Sequence, residues 1–247
     1  MKDTREEAAA AKARLDAADK QRQENHNNVP LVFSCLMLGM LMSSLGQMIF
    51  STALPTLVGE LGGANKMSWV ITSFLLTMTI GMPVYGKLGD QMGRKPLYLV
   101  AVSLFLVGSV IGAVAQSMNM MIVARGVQGL GAGGLMIGAQ AIIADVVSAR
   151  DRGRYMGIMG GVFGLSSVLG PLLGGFFTDG PGWRWALWFN VPLAVITLLM
   201  VFFNLKLPQR GSGARLDVPG TVLMAGATSS LILLLTWGCL LYTSPSP

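Results

Sequence analysis

An arginine, Arg125, stands roughly two turns inside an otherwise uncharged apolar run from Met118 to Ala141. A charge at that depth in hydrocarbon costs on the order of 3 kcal/mol or more, so it needs a polar cavity or a polar partner. Its chemistry is electrostatic: a guanidinium keeps its proton and biases the groups around it. Uncharged polar side chains occur at comparable depth, namely Gln128, Gln47, Thr72 and Thr77, whereas no Asp or Glu lies at mid-depth in the first six apolar stretches. Asp145, near the end of the fourth, is the closest acid. Other chemistries find no footing. There is no nucleophile–base pair, no paired carboxylate set at depth, and no basis for a cofactor. His26 sits in a polar tail, while Cys35 and Cys239 lie in apolar runs, so neither a disulfide framework nor a His/Cys metal site can be assembled. Gly129, Gly131 and Gly134 spell the dinucleotide fingerprint. No strand precedes them, however, and Asp145 follows Gly134 after only eleven residues instead of about 20.

The elements that must position these residues are membrane spans. Of 247 residues, 52% are hydrophobic and 12% charged, and the mean hydropathy is +0.59, a balance unlike that of a domain that solvates its own surface. A span needs about 20 apolar residues to cross roughly 30 Å of hydrocarbon. Seven stretches qualify, near 30–54, 67–86, 96–115, 118–141, 155–177, 183–204 and 218–240. Two-residue alternation is absent, which argues for helices over a barrel.

Links 87–95, 142–154 and 205–217 carry nine Lys/Arg, against only Lys66 and Arg184 in and beside the other links. That asymmetry places the first set and the N-terminus in the cytoplasm, in a multi-pass cell (inner) membrane protein. It also accounts for the net charge of +6 without a nucleic-acid partner, because the excess sits between spans. Residues 1–28 form a charged cytoplasmic arm with six basic and six acidic residues between Lys2 and Glu24, either a solvated helix or a partly disordered segment. They lack the short basic start and brief apolar core of a signal peptide. At the other end, 241–247 reads as a non-native tail after a truncated frame. The odd span number agrees, since two-fold repeated transporters need a second half.

Four motifs carry a resemblance. The link Gly86-Lys87-Leu88-Gly89-Asp90-Gln91-Met92-Gly93-Arg94-Lys95-Pro96 sets one carboxylate among cations at a helix junction, where an acid can pair with arginine in one arrangement and release it in another. With Gly86, Asp90, Gly93 and Arg94 in place, it resembles the signature loop of the major facilitator superfamily, in which the acid and arginine help lock one access state. Arg125-Gly126-Val127-Gln128-Gly129-Leu130-Gly131 resembles the fourth-helix motif of the same superfamily, whose arginine lines the central cavity and is implicated in proton coupling. Gly164 to Gly175, ending Gly170-Pro171-Leu172-Leu173-Gly174-Gly175, is similar to the antiporter motif of its drug:proton exporters. Small residues four apart, such as Gly170 and Gly174, also let helices approach closely, and Pro171 bends the helix. Trp183-Arg184-Trp185 with Phe189-Asn190-Val191-Pro192 looks like a block of the fourteen-span branch, and its aromatics suit an interfacial belt.

The resemblance, spanning about 30–238, implies an all-α integral membrane bundle of major-facilitator type: an N-terminal six-helix half of two inverted three-helix repeats at 29–204, a cytoplasmic link 205–217, and a seventh span at 218–240. The cavity is expected between the first, second, fourth and fifth helices. The gate residues are then Gly86, Asp90, Gly93, Arg94 and Lys95. Proton coupling and the cavity fall to Arg125, Gln128, Gln47, Thr72 and Thr77, and the antiporter helix to Gly164, Gly170, Pro171, Gly174 and Gly175. Protons, a small-molecule substrate, the bilayer and a missing C-terminal half are the implied partners. One departure stands out: Gly46 occupies the place of the acid this branch usually carries in its first span. Either the missing half holds that acid, or the substrate is neutral or anionic. The 17 methionines, including Met40, Met42, Met48, Met78 and Met136, read as adaptable pocket lining or as ordinary core filler. The implied activity is export of small, mostly apolar compounds in exchange for protons. A proton-independent facilitator or importer of the same fold, and a non-transporting fragment, stay open beside it.

Overall fold

The computed structural model describes residues 3–147, 150–205 and 218–243. They form seven helices: α1 (Asp3–Leu61), α2 (Met67–Met92), α3 (Arg94–Ala113), α4 (Met118–Val146), α5 (Arg152–Asp179), α6 (Arg184–Asn204) and α7 (Val218–Thr243), with one 3₁₀ turn at Ala64–Lys66. No strand occurs among the described residues, as expected where lipid leaves no water to satisfy exposed backbone groups. Six helices are long and apolar enough to cross a membrane, and within α7 the described apolar stretch is Leu223–Leu234.

Helix ends differ from the sequence reading. The arm and the first span share one continuous helix through Pro30, consistent with the alanine-rich composition of the arm. The glycine-rich link 87–95 is almost wholly helical, so Gly86 and Asp90 lie inside α2 and the chain reverses at Gly93 alone, with φ 91°. Only glycine adopts that conformation without steric penalty. α7 continues to Thr243, past the expected end at 240. The tail 244–247 and most of the link 205–217 lie outside the described residues.

Packing pairs reveal an internal order. α2 packs on α4, α3 on α4, α1 on α5, α1 on α6, α3 on α6 and α1 on α4. Exchanging α1 with α4, α2 with α5 and α3 with α6 maps this set onto itself. α2–α4 becomes α5–α1, and α3–α4 becomes α6–α1. Successive antiparallel spans make the second triplet run opposite to the first, the geometry of an inverted repeat. One face collects the end of α1, the end of α3 and the start of α6, with Arg184 bonded to Glu60 and to the Ala115 carbonyl. The starts of α2 and α4 lie on that face too, joined by Lys66 Nζ donating to Asn119 Oδ1 at 2.9 Å. The other face, called here the link face, holds the α2–α3 junction, the end of α4 and the end of α6.

Glycines set how closely the helices approach. A Cβ on Gly131 would lie 2.5 Å from the Phe105 nitrogen and 2.7 Å from the Ala101 oxygen on α3, and one on Gly133 would lie 2.5 Å from the Met78 oxygen on α2. On α5, Gly170 sits directly on Met48 and a Cβ on Gly174 would lie 2.9 Å from Thr52 Cβ, whereas Gly164 and Gly175 face open space. Met40 and Met42 are fully enclosed with Phe74, Phe105 and Leu135 in the main core, so those two methionines are packing residues.

Gly170→Ala should therefore lower the thermal midpoint of the detergent-solubilised chain, with overpacking destabilising by about 1–3 kcal/mol. Gly164→Ala should leave it unchanged or raise it slightly, because alanine favours helix by roughly 0.5–1 kcal/mol. Tryptophan-fluorescence melting of the two variants side by side checks both.

Candidate functional site

Ser117 caps α4 by accepting from the Met120 N–H at 3.3 Å, and Arg125 follows two turns later. Its side chain reaches neither lipid nor an open cleft, being 3% exposed. Arg125 Nη1 donates to Gln128 Oε1 at 2.6 Å, Gln128 Nε2 donates to Ser109 Oγ at 2.9 Å, and Ser109 Oγ donates to the Phe105 carbonyl at 2.8 Å. The three-residue spacing on α4 puts Arg125 and Gln128 on one side of the helix. The guanidinium carbon lies 4.3 Å from the Phe50 ring centre on α1 and 4.1 Å from that of Phe74 on α2. Two aromatic faces supply cation–π attraction, which strengthens where water is excluded. Arg125 Nε has no hydrogen-bond partner, and no carboxylate pairs with the group among the described residues.

Within this bundle the expected cavity residue Arg125 is enclosed by side chains of α1, α2 and α4. Its charge is offset by one amide oxygen and two π faces. The other expected cavity residues do not join it. Thr77 donates to the Ser73 and Phe74 carbonyls at 2.8 and 3.2 Å, Thr72 is buried, and Gln47 is half-buried on α1. Ser109 belongs to the cluster and was not singled out from the sequence, because nothing local distinguishes it from other small residues of α3.

At the link face, Arg94 opens α3 and reaches two acids, Asp90 Oδ1 at 3.1 Å on α2 and Asp145 Oδ2 at the end of α4. All three are partly exposed, so each pair alone is worth about 0–1 kcal/mol and exchanges readily with water. Asp145 thus partners Arg94 at the link face and lies away from the Arg125–Gln128–Ser109 cluster. Lys95 points elsewhere, donating to the Phe202 carbonyl at 2.8 Å, where a cation favourably caps the end of α6. Of the five expected gate residues, Asp90 and Arg94 meet through side chains and Gly93 makes the turn. Gly86 is a helix-interior position whose Cβ would lie 3.9 Å from Ile137.

The antiporter segment divides by face. Gly170 and Gly174 hold α5 against α1, while Gly164, Pro171 and Gly175 do not contribute to that contact. At Gly46, where the branch usually has an acid, a Cβ would meet Asn190 Nδ2 at 3.3 Å and the Phe105 ring at 3.4 Å. The position is turned toward α3 and α6, and the buried Asn190 keeps an unpartnered Oδ1 there. No group of three His, Cys, Asp or Glu poised for a metal occurs among the described residues.

A family model described as Major Facilitator Superfamily matches residues 36–245. The chain belongs to the Major Facilitator Superfamily. An uncharacterized MFS-type transporter of Mycobacterium tuberculosis (strain H37Rv) is 43% identical over 208 residues, covering 84% of this chain and 30% of that protein. Multidrug resistance protein 3 of Bacillus subtilis (strain 168) is 38% identical over 203 residues, covering 82% of this chain and 40% of that protein. Among solved structures, the human organic anion transporter MFSD10 (TETRAN) superposes with a TM-score of 0.68 at 20% identity, covering 81% of this chain and 54% of that one. The chain spans 30% to 40% of the length of these two curated relatives. It is a multi-pass membrane bundle of this superfamily.

Replacing Gln128 with Leu should strand the buried guanidinium and destabilise the bundle by roughly 1–3 kcal/mol, whereas the double variant Arg125→Met/Gln128→Leu should recover most of that loss. Unfolding midpoints of wild type, both singles and the double form the cycle that measures it.

Proposed function

We propose that the complete protein exports small, mostly apolar compounds in exchange for protons by alternating access, and that this chain supplies its N-terminal bundle. The observation that carries the reading is a charge held at mid-span without a carboxylate. A buried guanidinium stabilises the ionised form of an acid within a few ångströms, so in this reading α1 and α2 part for an acid from the remainder of the protein to release its proton beside Arg125. Arg125 keeps its own proton and acts by position. The names of relatives support export: multidrug resistance protein 3 of B. subtilis and an efflux pump, LUC4, of a Fusarium species, 38% identical over 214 residues and covering 38% of that protein.

In this reading the link face is cytoplasmic, as the basic links indicate, and the N-terminus lies on that side of an inner membrane. Asp90, Arg94 and Asp145 hold the link face in one access state, and their exposure lets them separate as the bundle rocks. Gly170 and Gly174 keep α5 tight on α1, which couples the path-lining helices. Gln47, Thr72 and Thr77 supply polarity without negative charge, so a substrate of the N-terminal half need not be cationic. The link 205–217 joins the 29–204 bundle to the helix that follows.

In the full-length protein, Arg125→Ala should insert normally and lose proton-driven efflux. Efflux by wild type should stop when an uncoupler collapses the proton gradient. Dye export and membrane yield measured together check both, and unchanged drug resistance in the variant would refute the role.

A further inference from the structure

The α2–α3 junction has a counterpart on the opposite face of the bundle. Arg94 is the first residue of α3, and Arg184 is the first residue of α6. Asp145 is the penultimate residue of α4, and Glu60 is the penultimate residue of α1. Arg94 pairs with Asp145, and Arg184 pairs with Glu60. The exchange that maps α1 on α4 and α3 on α6 therefore also maps one ion pair on the other. A positive-φ glycine also stands ahead of each arginine, Gly93 (91°) directly and Gly182 (104°) two residues before.

The second cluster has its own reinforcement. Trp183 Nε1 donates to Glu60 Oε2 at 2.5 Å, Arg184 Nη2 donates to the Ala115 carbonyl at 3.2 Å, and the guanidinium lies 4.4 Å from the Trp183 ring centre. One arginine thus ties the start of α6 to the ends of α1 and α3. Trp183 is fully buried, but the side chains of Arg184 and Glu60 are 36% and 50% exposed beside a cavity of about 660 Å³ that Trp185 and Trp188 also line. Water from that cavity can replace the pair at little energetic penalty. Such a contact suits a fastening that opens and closes better than a permanent weld.

We propose that Glu60, Trp183 and Arg184 form a second clamp, which pins the end of α1 on the face opposite the Asp90–Arg94–Asp145 cluster and resists opening of that face. Each clamp joins one inverted repeat to the other, and they do so at opposite faces. Alternating access requires one face to open while the other closes, so each clamp opposes opening of its own side. This rests on the transport reading above, while the pairing itself is independent of what drives transport.

Hydrogen exchange by mass spectrometry on the full-length transporter in nanodiscs tests the clamp. Glu60→Gln and Arg184→Gln should each speed exchange at 54–62 by about fivefold and leave 142–147 within about twofold, while Arg94→Gln should do the reverse. The swap Glu60→Arg/Arg184→Glu should restore at least roughly half of the lost protection, and Arg184→Lys, which keeps the charge but not the second donor or the stacking plane, should fall between wild type and Arg184→Gln. Efflux should fall in the two single Gln variants and recover in the swap. Unchanged exchange at 54–62 in both singles, or a swap as fast as either, overturns the pairing. Altered exchange with unaltered efflux overturns the clamp's part in transport. Uncoupler-insensitive efflux by wild type would overturn proton coupling, and the hydrogen-exchange rates would still decide for or against the clamp.

Discussion

A guanidinium at bilayer depth has to be wrapped, and the way α4 is built decides what can wrap it. Gly108 on α3 lies against the Gln128 backbone, where a Cβ would come within 2.5 Å of its nitrogen, and Gly129 lies against the Phe74 carbonyl and the Thr77 hydroxyl of α2. Those two absences of side chain bring Ser109 within 2.9 Å of Gln128 and Phe74 within 4.1 Å of Arg125. Close packing and charge neutralisation are one arrangement seen from two sides. Van der Waals contact between small residues drives helices together in lipid, and that contact here also closes the hydrogen-bond chain from Arg125 to Phe105.

Inversion of the two triplets organises the rest. Because α4 stands where α1 would stand in the other repeat, the core helix with the arginine faces the helix with Phe50. Peripheral α3 and α6 pack on each other behind them. Loops acquire matching jobs at opposite faces as a result. The two arginine–acid pairs show this at residue level, although the surrounding sequences, Asp90-Gln91-Met92-Gly93-Arg94 and Asp179-Gly180-Pro181-Gly182-Trp183-Arg184, share little beyond an acid, a glycine and an arginine.

Much of this was legible in the chain itself, and the limits have physical causes. Apolar run length located the six spans to within a few residues at most ends, because hydrocarbon thickness imposes it. Ends were missed where helix continues into water: Gly86 to Met92 look like a loop by composition, yet only the positive φ at Gly93 interrupts the backbone. Arg125 announced itself by the energetic penalty of its position, and Gln128 by its spacing from it. The enclosing rings could not be read, since Phe50 and Phe74 resemble any other apolar residue of their helices. The pairings of Asp145 and Glu60 escaped for another reason. Their partners lie 51 and 124 residues away, and only the folded inversion brings them together.

The single-residue reversal at Gly93 carries a mechanical corollary. Elsewhere in the bundle, several residues separate consecutive spans: Val114 to Ser117 between α3 and α4, Gly180 to Trp183 between α5 and α6. α2 and α3 share no such slack. A tilt of one must be taken up as a swing of the other about one Cα, with Arg94 as the first side chain past the fulcrum. Such a junction would act as a bell crank, converting motion along the α2 axis into lateral travel of α3 and of α6 packed behind it.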